Sequence, residues 1–120
     1  MTKVKESMQR PVLAVSASAS IGTALKLMEN AHVSILPVLS GTRLVGVITK
    51  KDADAEPPSA RLSSIKLKLI YVTEDEPVES AARIMVKNAI TRIPVISSES
   101  TMHCIGIISS TDIASYHNKM

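Results

Sequence analysis

Gly46-Val47-Ile48-Thr49-Lys50-Lys51-Asp52 decides how this chain is read, because the chain writes it a second time as Gly106-Ile107-Ile108-Ser109-Ser110-Thr111-Asp112. Each copy is a glycine, two branched apolar residues, a hydroxyl residue, two spacers and an aspartate. Such a run reads as the end of a buried strand entering the first turn of a helix. A hydroxyl and a carboxylate three residues apart either cap that helix reciprocally or hold a ligand.

Upstream of each copy the correspondence continues. Val15, Ala24, Met28, Pro37 and Val38 are answered 57 positions later by Val72, Ala81, Met85, Pro94 and Val95. From Gly46 and Gly106 onward the offset is 60, which puts three extra residues in the second hairpin, within Ser97 to Met102. Insertions at hairpin tips cost little, so the change of offset supports an internal duplication.

Each half predicts strand, helix, strand, strand, short helix. Pro11 to Val15 is β-prone, and Ser18 is the expected N-cap of a helix over Ala19–Asn30, with Ile21, Ala24, Leu25 and Met28 on one face. In the second half Asp75 takes the cap position, with Pro77 in the first turn. Val33 to Leu39 is a strand broken by Pro37 and therefore expected to be short or at an edge. Ser40-Gly41-Thr42 turns it into the partner strand Arg43–Ile48, and the helix opened by Thr49 stops before Pro57-Pro58. The expected organisation is repeat 1 over residues 1–56, a linker over 57–63 and repeat 2 over 64–120. The fold class is α+β: two β-α-β-β-α repeats about a pseudo-twofold axis, small sheets packed on helices. One repeat alone would barely bury a core.

Composition narrows the function. The 120 residues are 45% hydrophobic without Phe or Trp, and the net charge is +3. A core of aliphatics suits sheets on helices, and the lack of aromatic platforms argues against single-stranded nucleic-acid binding. The charge is modest for a duplex binder. A single cysteine, Cys104, excludes an intramolecular disulfide, and it answers Leu44 as a small core residue. His32, His103 and His117 lack metal-ligand spacing. No apolar run approaches the roughly 20 residues of a membrane span, and the polar start, Met1 to Arg10, is no signal peptide, so a reduced, cytoplasmic setting is expected. No nucleophile–base pair or phosphate-cradling glycine loop is present, which disfavours catalysis. Lys66 and Lys68 alternate with Leu67 and Leu69 as in a half-exposed strand.

The doubled pattern resembles a pair of cystathionine-beta-synthase (CBS) domains over essentially the whole chain. The features that carry the resemblance are the strands ending near Val15 and Val72, Ala24-x-x-x-Met28 and Ala81-x-x-x-Met85, Pro37-Val38 and Pro94-Val95, and the two closing motifs. The resemblance implies a regulatory module, with no obligatory cofactor, that binds AMP, ADP, ATP, S-adenosylmethionine or a relative in clefts between paired repeats. It implies that Asp52 and Asp112 grip ribose hydroxyls, and that Thr49 and Ser109 contact ribose or phosphate. A carboxylate has acceptor oxygens for both hydroxyls of a cis-diol. Many family members carry an arginine two residues before the strand proline, which reaches the phosphates. Arg92 matches, and is expected to serve the Asp52 and Thr49 site; its counterpart Ile35 cannot bind phosphate. Lys50 and Lys51 either add charge there or form a solvated helix start. The two sites are therefore expected to be unequal. Family pairs dimerise through their helices, and the output would pass through such a homodimer or to an effector protein. The competing reading is a ligand-free dimerisation or interaction module, with nucleic-acid binding behind it.

Overall fold

A computed structural model describes residues 2–10 and 12–118, and contacts divide it into two compact units. One unit is Leu13–Ile70; the other joins the first twelve residues to those from Tyr71 onward. Pro11 and the side chains of Tyr116 and His117 lie outside the described residues.

The Leu13–Ile70 unit contains β1 (Val15–Ser16), α1 (Ile21–Ala31), β2 (Ile35–Ser40), β3 (Arg43–Thr49) and α2 (Lys50–Asp54). Its sheet runs β1-β2-β3, the first pair parallel and the second antiparallel. The apolar spacing of α1 buries Ile21, Ala24 and Met28 on one face, where they join Val15, Leu36, Val38, Ile48, Ala53 and Leu62 in one core cluster. Burial of each large side chain contributes about 1.5–3 kcal/mol. The helix stops where His32 turns left-handed, at φ 55°, and returns its N–H to the Met28 and Glu29 carbonyls.

The second unit repeats this with β4 (Val72–Thr73), α3 (Val78–Asn88), β5 (Arg92–Ile96), β6 (Cys104–Ser109) and α4 (Ser110–Asn118). Val78, Ala81 and Met85 are buried on α3, and Ala89 ends it in the left-handed region at φ 54°, 57 positions after His32. The three extra residues fall in the turn between β5 and β6, where Ser97 donates to His103 O and Met102 takes φ 55°. The α+β class and the β-α-β-β-α order are those expected, with two three-stranded sheets.

Local details differ from the sequence expectation. Ser20, not Ser18, caps α1: its Oγ accepts from Thr23 N at 3.1 Å, while Ser18 N donates to Ser16 Oγ in the preceding turn. In Ser16-Ala17-Ser18-Ala19-Ser20 any of three serines satisfies the local rule, and only packing selects one. Pro77 occupies the N-cap position of α3, and Asp75 instead pairs with Lys5 at 3.1 Å and Lys3 at 3.8 Å. The first strand is only Val15–Ser16, because parallel pairing reaches just Val38 and Leu39. Lys66–Leu69 does not form a strand; Lys68 makes a single bridge to Val47, and Leu69 is 55% exposed.

Pro37 and Pro94 sit in central strands, not at edges. Their partners explain why. Val47 and Ile107, opposite the prolines, turn their N–H groups away to Lys68 O at 2.8 Å and Gln9 O at 3.1 Å. The prolines thus occupy non-hydrogen-bonded pairs, where the ladder does not demand their missing donor.

The chain start and residues 57–70 are the other departure. Val4, Lys5 and Val78 bond to Glu76, Glu74 and Thr2 carbonyls, and Leu62, Ser63 and Ile21 bond to Ala19, Ala17 and Ala60 carbonyls in the same pattern. Each segment forms one 3-10 turn, Val4–Glu6 or Leu62–Ser64, around a fully buried residue, Val4 or Leu62. The polar chain start, read as part of repeat 1, and residues 57–63, read as a linker, are equivalent structural elements, and the start belongs with the second unit.

Candidate functional site

The two strand-to-helix junctions begin from the same backbone. At the end of β3, Thr49 pairs with Ile35, and Lys50 N donates to Ser34 O at 2.8 Å. At the end of β6, Ser109 pairs with Arg92, and Ser110 N donates to Thr91 O at 2.9 Å. The position two residues before each strand proline therefore stands directly across the ladder from the motif hydroxyl. In one unit that position is the buried aliphatic Ile35; in the other it is the half-buried Arg92. Arg92 makes no side-chain hydrogen bond or ion pair with another described residue.

In the Leu13–Ile70 unit, Thr49 is extended and its Oγ1 accepts from Asp52 N at 3.2 Å, which caps α2. The Asp52 carboxylate does not complete the reciprocal half of a capping box. It is exposed and accepts no hydrogen bond from any described residue. Lys50 pairs with Asp54 one turn along, at 2.8 Å, so its ammonium is engaged within α2. Beside that pair a groove of about 410 Å³ is lined by Leu25, Met28, His32, Val33, Lys50 and Asp54 together with Glu29.

In the other unit the capping box is complete. Asp112 N donates to Ser109 Oγ at 3.1 Å, and Ser109 N donates to Asp112 Oδ2 at 2.9 Å. Ser109 is buried. The second carboxylate oxygen, Oδ1, accepts from Gln9 Nε2 at 2.6 Å. A carboxylate is acceptor-only, so the Gln9 amide nitrogen faces it. Gln9 was not legible as a site residue: it lies 103 positions from Asp112, in a stretch without periodicity.

Close backbone approach explains the glycine that opens each motif. A Cβ at Gly46 would meet Leu67 Cβ at 2.6 Å and Lys68 O at 3.0 Å. A Cβ at Gly106 would meet Gln9 O and Met8 Sδ, both at 2.9 Å. Gln9 and Lys68 thus occupy equivalent crossings over the two motifs, each bridged to the residue after the glycine. Among the described residues no group of His, Cys, Asp and Glu side chains is arranged to hold a metal, and no helix is long and apolar enough to cross a membrane. Burial pushes the Cys104 thiol up, as suits a packed cysteine.

Comparison with known proteins adds to this geometry. The family model for the CBS domain matches residues 4–55 and 63–119. The chain is 32% identical over 114 residues to the inosine-5'-monophosphate dehydrogenase of Methanocaldococcus jannaschii, covering 92% of this chain and 23% of that protein. It is 35% identical over 121 residues to the homoserine O-acetyltransferase of Methanosarcina acetivorans, covering 97% of this chain and 22% of that protein. The chain spans about a quarter of the length of these curated relatives. A solved CBS domain pair in complex with 5'-methylthioadenosine and S-adenosyl-L-methionine superposes with a TM-score of 0.79 at 28% identity, over 99% of this chain and 98% of that one.

Proposed function

Because the chain belongs to the CBS domain family, matched over both halves, we propose that it is a non-catalytic regulatory module that binds an adenosine-containing ligand: AMP, ADP, ATP, S-adenosylmethionine or a relative. The observation that carries this reading is Asp52. Its carboxylate is exposed and without a partner among the described residues, beside a hydroxyl that already caps the helix. Two acceptor oxygens stand ready for the two hydroxyls of a ribose. Asp112 offers the same chemistry once its own hydrogen bonds are exchanged.

Two further observations support the reading. A domain pair 28% identical to this chain holds adenosyl ligands. The chain is also similar to a segment of a dehydrogenase and of an acetyltransferase, a quarter or less of each. A part common to two unrelated reactions serves regulation better than either chemistry. Arg92 is the residue we assign to ligand phosphate, with Thr49 and Ser109 as ribose or phosphate contacts; Ile35 and Lys50 contribute no free charge. The module is proposed to act in the cytoplasm as a homodimer through its helices and to signal to an effector protein.

Titration calorimetry with AMP, ATP and S-adenosylmethionine tests the reading. Binding is expected, with a stabilisation of about 2.7 kcal/mol at one hundred times the dissociation constant, and Asp52→Ala is expected to abolish the tight site. Coupling of Arg92→Ala with Asp52→Ala or with Asp112→Ala in AMP affinity identifies the aspartate with which Arg92 works. No heat and no thermal shift with any adenosyl ligand at millimolar concentration would leave a ligand-free dimerisation module as the reading.

A further inference from the structure

We infer that Gln9 is a gating residue: its side-chain amide holds the Asp112 carboxylate and must release it before the Ser109 and Asp112 junction accepts a ribose. The inference rests on the proposed adenosyl-binding function and adds a regulatory element to one of its two junctions. Three observations carry it, all within one unit. Gln9 Nε2 lies 2.6 Å from Asp112 Oδ1, and Ser109 N lies 2.9 Å from Oδ2, so each oxygen that a cis-diol would use already accepts a hydrogen bond from within the protein. The Gln9 backbone is pinned by a reciprocal pair of bonds with Ile107, at 2.7 and 3.1 Å, which delivers the side chain to this place. Gly106 beneath it leaves only 2.9 Å between Gln9 O and the position of a Cβ, so the crossing depends on that glycine.

The other unit supplies the internal control. Lys68 occupies the corresponding crossing, bridged to Val47 above Gly46, yet it forms no ion pair with Asp52 or any other described residue. The same backbone arrangement therefore leaves one aspartate open and closes the other, according to the side chain at the crossing. A ligand at Asp112 must compete with an intramolecular hydrogen bond to a charged group. Its apparent affinity falls by the fraction of time that the carboxylate is free. Because the bond is exposed to solvent, the expected penalty is that of an ordinary hydrogen bond, about fivefold to tenfold.

The test uses the full chain and calorimetry with 5'-methylthioadenosine and with AMP. On an Asp52→Ala background, which removes the open site, Gln9→Ala is expected to tighten the remaining binding about fivefold to tenfold, and adding Asp112→Ala to abolish it. Gln9→Glu, which places a second carboxylate against Asp112, tests the same release by repulsion and is expected to tighten binding as well. Unchanged or weaker binding in Gln9→Ala, with the parent chain still binding at Asp52, overturns the gate and spares the adenosyl reading. No binding by the parent chain or any variant overturns both. Thermal denaturation of Gln9→Ala checks that the variant is folded, and Gln9→Asn, with the shorter amide, provides a second release variant if it is not.

Discussion

Asp52→Ala and Asp112→Ala are equivalent changes in the repeat, and the structure assigns them different costs. The Asp112 carboxylate accepts from the backbone of buried Ser109 and from Gln9. Its removal leaves the buried Ser109 N–H unsatisfied and deletes the Gln9 bond, each worth about 1 kcal/mol, so the expected loss is about 2 kcal/mol. The Asp52 carboxylate accepts from no described residue. Its remaining contribution is that of an acidic residue in the first turn of α2, about 0.5 kcal/mol when exposed. The Thr49 cap that receives Asp52 N survives the substitution, because the donor is backbone. Urea unfolding followed by far-UV circular dichroism is expected to separate the variants by about 1.5 kcal/mol, or roughly 5–8 °C in Tm. Gln9→Ala should cost about 1 kcal/mol alone and little on top of Asp112→Ala. Equal losses in the two aspartate variants, or additive losses for Gln9 and Asp112, would refute the assignment of hydrogen bonds on which the inequality of the junctions rests.

Other substitutions probe the frame. Gly46→Ala and Gly106→Ala are each expected to cost about 2–3 kcal/mol by chemical denaturation, since the new Cβ would strike Leu67 Cβ and the Lys68 carbonyl in the first and the Gln9 carbonyl in the second. Ala89→Gly should raise stability by up to about 1 kcal/mol by relieving a left-handed alanine at an exposed helix end, measured as a shift of the urea midpoint. Asp75 gives a pH signature. The Lys5 ammonium, donating to it, holds its carboxyl below the usual 3.8, with further attraction from Lys5 and Lys3. A depressed native value means that the contribution is present above pH 3.8 and drains as the pH falls below it. Asp75→Asn is expected to flatten that part of the acid limb, and 0.5 M salt to do the same in the parent chain.

The legible part of the fold is what local period and repetition encode. Met28 and Met85 share a buried helical position, and Pro37 and Pro94 hold equivalent positions in the two central strands, because duplication preserved both the face and the register. Cap choice was not legible. Three alternating serines precede α1, and Asp75 looked like a cap while its carboxylate was committed to Lys5 and Lys3. Pro37 looked like an edge residue because a sequence does not state which N–H groups the opposite strand turns outward. The glycines were legible as motif members, yet their reason is the chain that crosses them.

The sequence by itself determined that one β-α-β-β-α unit occurs twice and that each ends in a hydroxyl and an aspartate three residues apart. Branched apolar residues, a cap and a helical stripe act within a few positions, so they can be read in order. Tertiary structure alone decided which aspartate is open. That choice depends on Gln9 bonding to Asp112 across 103 positions, while Lys68 at the matching crossing leaves Asp52 without a partner among the described residues. Hydrogen bonds between distant segments require the fold to exist before their donors meet, and no local pattern announces them.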